Sequence, residues 1–149
     1  MIRAAWSMTI SVVAIAALAG CGTFTGAHPR GFAPWSDNDG SIYRAASPDG
    51  LVWRIRTESH DPVADLDFWK RARRDRLAGA QNLVTDSLQF AMGEHPAFAL
   101  ESGQDNLAWL VAIAPVGKKI VVVEVSGPLE AFQKHRSDIL ASLPNIRLR

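Results

Sequence analysis

Cysteine and excess charge are both scarce in this sequence, and each shortage excludes a class of protein. The chain has 149 residues and one cysteine, so a small secreted fold stapled by internal disulfides is excluded. Its 16 basic and 15 acidic residues leave a formal net charge of +1, which argues against a dedicated nucleic-acid-binding protein. With 21% charged and 8% aromatic residues the chain is not of the disordered class, and its length suits one domain.

Metal-binding motifs are lacking as well. Residues 37–40 resemble the start of a calcium loop, but Trp35 and Ala46 stand where an EF-hand needs oxygen ligands. No histidine has another His, Cys or acid at metal-ligand spacing on one helix face. The histidines are His28, His60, His95 and His135. We therefore predict no metal and no cofactor.

Catalytic motifs are equally scarce. Ser59, His60 and Asp61 have the residue types of a hydrolytic triad, but adjacent residues do not present the required geometry. There is no Gly-x-Ser-x-Gly elbow and no phosphate-binding glycine loop. We predict no catalytic residue and a protein that is not an enzyme; an envelope hydrolase is the alternative with the least support.

What the sequence does have begins at its N-terminus. Arg3 is the only charged residue before position 21, and residues 10–18 form an apolar core. Such a short apolar stretch, with a basic start and a small-residue exit, is typical of a secretory signal peptide rather than a membrane span.

The exit reads Leu18-Ala19-Gly20-Cys21 and resembles the lipobox of bacterial lipoproteins at all four positions. The resemblance implies that the Cys21 thiol carries a diacylglyceryl group, that residues 1–20 are cleaved, and that the new amino group is acylated. Two or three acyl chains anchor a protein firmly to a membrane. We expect a lipid-anchored envelope protein, and Gly22 favours the outer membrane facing the periplasm over the inner membrane.

Residues 21–41 are predicted to be the lipidated cysteine and a flexible tether, because Gly, Pro, Thr, Ser and Asn dominate. Phe24, Phe32 and Trp35 are unusually apolar for a linker. We expect them to pack on the domain or to contact the lipid interface. Residues 42–149 are predicted to form a single domain.

That domain begins with two strand patterns, residues 42–46 and 51–57, joined by the turn at residues 47–50. In the second strand Trp53 and Ile55 alternate with Arg54 and Arg56, as in a half-buried strand with basic residues outward. Four further strands are predicted at residues 82–91, 96–101, 107–115 and 119–126. The last two are nearly continuous apolar runs and are expected to be central.

A first helix is predicted from Asp61 as N-cap and Pro62 as first residue to about Ala80. A candidate binding face for an anionic envelope component or an acidic protein partner is formed by its five cations. These are Lys70, Arg71, Arg73, Arg74 and Arg76. The alternative is a solvated helix face whose cations pair with nearby acids.

A second helix is predicted from Pro128 to Pro144, with a short strand at residues 146–148. The element order is then ββαββββα. Strands in runs with helices between them indicate an α+β fold with a mostly antiparallel sheet of about six strands and two packed helices.

Several strings resemble the PsbP-like fold shared with the Ran-binding Mog proteins. They are residues 47–53 at the second strand, the Asp-Pro-x-x-Asp-Leu start of the first helix, residues 93–98, and residues 139–143. The resemblance covers residues 42–148 and implies a non-catalytic binding or assembly domain, without transferring any functional residue.

Two functions stay open on this basis. The first is a binding or assembly module anchored to the membrane by its N-terminal lipid. The second is a small-ligand carrier in the envelope, in which Trp53, Trp69 and Trp109 line a pocket instead of filling a core.

Overall fold

The computed structural model describes residues 24–25, 28–35, 42–79 and 83–148. The predicted signal peptide, the lipobox and Cys21 lie outside the described residues. No helix of the described part is long and apolar enough to cross a membrane.

A seven-stranded antiparallel sheet is the main element of the domain. Its strands are β2 (Ala33–Pro34), β3 (Tyr43–Ala46), β4 (Val52–Ser59), β5 (Leu83–Met92), β6 (His95–Gln104), β7 (Leu107–Val116) and β8 (Lys119–Pro128). Their order across the sheet is β2-β3-β4-β8-β7-β6-β5. The α+β class and the antiparallel sheet with two helices are confirmed. The sheet has seven strands rather than six because β2 pairs with β3 at one edge.

One face of the sheet is covered by α2 (Leu129–Ser142), which continues into the 3₁₀ turn Leu143–Asn145. Alternation along β4 directs Trp53 and Ile55 to this face, where both are fully buried. Phe132 and Ile139 of α2 belong to the same apolar cluster. This is the larger core of the domain.

The opposite face carries a smaller cluster that includes Phe98, Leu100 and Val122. Helix α1 (Leu66–Gly79) packs on it through Trp69 and Leu77. No residue of α1 is fully buried, so this helix covers the sheet less completely than α2 does.

Helix α1 begins later than the sequence indicates, and the prediction of Asp61 as its N-cap is wrong. The Phe68 N–H donates to Asp65 Oδ1 at 2.7 Å, which makes Asp65 the capping residue. Residues 60–64 instead form a connection held by buried His60, whose Nδ1 lies 2.8 Å from the Gly117 carbonyl oxygen. Val63 lies outside the helix and is 77% exposed.

The described part of the predicted tether is folded onto the domain. Phe32 is 6% exposed and contacts His135 of α2 edge to face, with the ring centroids 5.7 Å apart. Upstream, β1 (Phe24–Thr25) pairs with β9 (Arg147–Leu148) near the C-terminus. Residues 28–35 thus contact the domain through the buried side chains of Pro29 and Phe32, and β2 extends the sheet.

Candidate functional site: a groove beside α1

Helix α1 lies over β5 and β6 and leaves the neighbouring part of its sheet face uncovered. A groove of about 260 Å³ results between the second half of the helix and strands β4, β8 and β7. Its lining residues are Arg56, Arg73, Arg76, Leu77, Trp109, Val111 and Glu124.

Strand alternation and register place the floor of this groove. Glu124 of β8 stands opposite Arg54 of β4 and Val111 of β7. Trp109 lies two residues before Val111 on the same strand and is therefore on the same face. A carboxylate, an indole and an aliphatic side chain are thus adjacent on a rigid sheet.

A chain of ion pairs joins the sheet to the helix along one wall. The guanidinium of Arg56 binds Glu124 through two hydrogen bonds, Nη2 to Oε1 at 2.8 Å and Nε to Oε2 at 3.3 Å. It also donates to Glu58, which accepts a second hydrogen bond from Arg73 of α1. Planar two-point contacts of this kind fix the orientation of arginine.

These contacts shift the pKa values of the groups concerned. The hydrogen bond to Glu124 is the main reason that the pKa of Arg56 is raised. Burial alone would raise the pKa of Glu58, but the hydrogen bonds from Arg73 and Arg56 outweigh it and lower that pKa below its ordinary value. Both shifts favour the charged forms of Arg56 and Glu58.

A second hollow of about 250 Å³ continues past Trp109 and shares Val111 and Glu124 with the first. Val52, Arg54 and Ser126 also line it. Trp109 therefore lines both hollows, and each has arginine in its wall.

The five cations of α1 do not share one surface. Arg73 and Arg76 line the groove, and the Arg73 side chain is only 12% exposed. Arg71 and Arg74 are exposed and lie outside the lining, whereas Lys70 is half-buried. The structure thus brings two of the five predicted cations together with residues of the sheet.

The three tryptophans expected to line a carrier's pocket do not lie around a common cavity. Trp53 is fully buried in the core beneath α2, on the other face of the sheet. Trp69 packs at the start of α1, 5.4 Å from the Phe68 ring and 5.9 Å from the His60 ring between centroids. Only Trp109 of the three lines the groove.

Four groove residues were not predicted as site residues from the sequence: Arg56, Leu77, Val111 and Glu124. Alternation correctly places Arg56 on the face opposite Trp53, but it does not say that α1 partly roofs that face. The signal that was available is Glu124, a lone acid within the apolar run of residues 120–125. Such a residue in a central strand needs a basic partner.

A cluster at the β3–β4 turn has the residue types of a triad but not its order. Asp49 accepts hydrogen bonds from Ser47 and Lys134 and lies 3.0 Å from His135 Nε2. The carboxylate stands between serine and histidine, whereas a hydrolase needs histidine in the middle. The hydrogen bond from Ser47, followed by that from Lys134, holds the pKa of Asp49 well below its usual range.

Another depression, of about 550 Å³, lies at the tip of the β5–β6 hairpin and is lined by Gly93, Glu94, His95 and Arg147. It has no apolar side chain in its lining. In the described part of the chain, no group of three His, Cys, Asp or Glu residues is placed to hold a metal ion. The groove beside α1 is the candidate site because it combines charge with an apolar floor.

Neither a family model nor a curated protein matches the sequence. Solved structures with a similar fold do exist. The solution structure of cyanobacterial PsbP (CyanoP) from Synechocystis sp. PCC 6803 superposes with a TM-score of 0.58 at 10% identity, covering 86% of this chain and 88% of that chain.

The domain has a PsbP-like fold. A second structure, a protein of unknown function from Pseudomonas aeruginosa, superposes with a TM-score of 0.57 at 11% identity, covering 79% of this chain and 97% of that chain. At these identities the likeness of the PsbP-like domain to both structures concerns the fold alone.

Proposed function

We propose that the protein is a membrane-anchored bacterial envelope lipoprotein whose PsbP-like domain is a non-catalytic binding or assembly module. The four lipobox positions, Leu18 to Cys21, support the anchor. The fold supports the module, since it is similar to that of cyanobacterial PsbP.

The observation that carries the binding role is the groove beside α1. Most of one sheet face is closed by α2, but α1 leaves part of the other open. The open part contains Trp109 and Val111 next to paired arginines. A concave site with an apolar floor and a few oriented polar groups is the usual form of a ligand-binding site.

The small-ligand carrier is the second candidate, and Trp109 favours it. A groove of about 260 Å³ lies just below the usual size range of small-molecule sites. A carrier and an assembly module differ in what fills this groove, a small molecule or a side chain of a partner protein.

Anchoring is tested by the intact mass of the protein purified from the membrane fraction of its native host. We expect a chain that begins at Cys21 and carries the added mass of a diacylglyceryl group and a further acyl chain. The Cys21→Ser variant is expected to remain unprocessed and to lack that mass. A mature chain with an unmodified Cys21 would overturn the anchor.

A further inference from the structure

The charge of the groove indicates which ligands suit it. Three arginines and one glutamate line it, and with Glu58, which pairs with two of these arginines, the formal excess is one positive charge. The two carboxylates nearby, Glu58 and Glu124, are already engaged by Arg56 and Arg73. The acids of the site therefore orient two arginines and do not neutralise the third.

That third arginine, Arg76, lies at the exposed rim of the groove on α1. Within the described residues it makes no ion pair, whereas Arg73, one turn earlier, is held by Glu58. A guanidinium that is not committed to a protein carboxylate is suited to bind the carboxylate or phosphate of a ligand with two hydrogen bonds.

The apolar floor of the groove favours a ligand that also has an apolar part. Trp109 is half-buried, and Leu77 and Val111 complete an apolar surface beside it. A flat apolar body would contact the indole and exclude water from these side chains. An inorganic anion alone would leave this surface unused.

We propose that the groove beside α1 binds a small organic anion, one carboxylate or phosphate on a flat apolar body, with Arg76 holding the anionic group and Trp109 the apolar body. This inference rests on the second candidate of the proposed function, the small-ligand carrier, and names the ligand class of the same groove. A groove of about 260 Å³ with an arginine at its rim and an apolar floor suits one small molecule that carries both an anionic group and an apolar body.

Isothermal titration calorimetry of the full-length protein in a non-ionic detergent tests the proposal with two matched probes. The probes are 2-naphthoate and 2-naphthamide, which differ in the anionic group and share the ring. We expect naphthoate to bind more tightly than naphthamide. Arg76→Ala is expected to weaken naphthoate by about 10-fold and to leave naphthamide unchanged.

Two further variants locate the site. Trp109→Ala is expected to weaken both probes by about 5-fold. Arg74→Ala is the control, because Arg74 is an exposed arginine of the same helix outside the groove lining. Equal losses in the Arg74 and Arg76 variants would show a general effect of helix charge and would overturn the proposal.

The remaining outcomes separate this proposal from the proposed function. If both probes bind equally and only Trp109→Ala weakens them, the groove binds ligands and the anion preference is wrong. If neither Arg76→Ala nor Trp109→Ala changes the binding of either probe, the groove is not the binding site. The small-anion proposal and the binding role proposed for the groove then both fail. If vesicles containing phosphatidylglycerol bind through Arg76 while naphthoate does not, the occupant is an acidic lipid and the small-anion proposal is overturned. 1-Naphthyl phosphate distinguishes phosphate from carboxylate as the anionic group.

Discussion

Glu58 connects the sheet to α1 through its hydrogen bonds with Arg56 of β4 and Arg73 of the helix. Its side chain is 28% exposed, so the contact is partly screened by solvent. The pairing still has a consequence for stability, because the pKa of Glu58 is lower in the folded chain than its ordinary value. Folding and the orientation of the groove wall therefore depend on the same carboxylate.

Glu58→Gln is expected to lower the free energy of unfolding by about 1–2 kcal/mol at neutral pH. A carboxyl with a lowered folded pKa stabilises fully above its unfolded value, 4.5 for Glu58, and the contribution is lost as pH falls through the lower folded value. The difference between wild type and variant should therefore shrink at about pH 3. Urea denaturation of both proteins at neutral pH and at about pH 3 measures this difference in the free energy of unfolding.

Glu94→Gln is the matched control, since Glu94 is an exposed glutamate at the β5–β6 hairpin. It should change stability little at either pH. A Glu58→Gln effect that stays constant with pH would contradict the role given to this ion pair.

Among the elements, α1 shows where sequence patterns mislead. Both Asp61 and Asp65 are good capping residues, and Pro62 suits the first position of a helix. The hydrogen bonds of the buried His60 ring explain why the helix is capped by Asp65 and not by Asp61. The ring is hydrogen-bonded to the Gly117 carbonyl oxygen and, through Nε2, to the backbone N–H of Ala64. That tertiary contact occupies the backbone upstream of Asp65 and is invisible in local sequence.

Asp65→Ala is expected to destabilise the domain by about 1 kcal/mol, because it removes the side-chain acceptor of the Phe68 N–H. Asp61→Ala should change stability by less than about 0.5 kcal/mol, since exposed Asp61 lies outside the helix. Urea denaturation of the two variants compares them directly. A larger loss in the Asp61 variant would mean that the helix begins where the sequence pattern places it.

The N-terminal segment shows that composition can also mislead. Its composition predicts a tether, and only the three aromatic residues suggest otherwise. Residues 28–35 are nevertheless fixed by specific contacts: buried Phe32 against His135, and the Trp35 ring 4.1 Å from the Arg44 guanidinium carbon. Composition describes average behaviour, whereas a few well-placed apolar side chains determine whether a polar segment packs.

For the whole molecule, the sheet could be predicted and the site only in part. Apolar runs and turns indicate β4 to β8 and α2 within a few residues, because burial on one or both faces leaves a periodic trace. The groove has no such trace. It depends on where α1 lies across the sheet, which is set by contacts between residues far apart in sequence, such as Arg73 with Glu58. The cations of α1 could be found, but not their division between groove and solvent.

The two faces of the sheet differ in what covers them. The α2 face buries the large core that includes Trp53, and the α1 face combines a small core with an open, positively charged groove. We therefore expect ligand contact at the α1 face and none on the exposed side of α2.

Photo-crosslinking in native cells tests this central claim most directly. Benzoylphenylalanine is placed at Leu77 in the groove and, as a control, at exposed Gln133 of α2. After irradiation, the intact mass of the purified protein is measured. We expect a defined added mass at the Leu77 position that the Gln133 position lacks. No added mass at Leu77, or the same adducts at both positions, would contradict it.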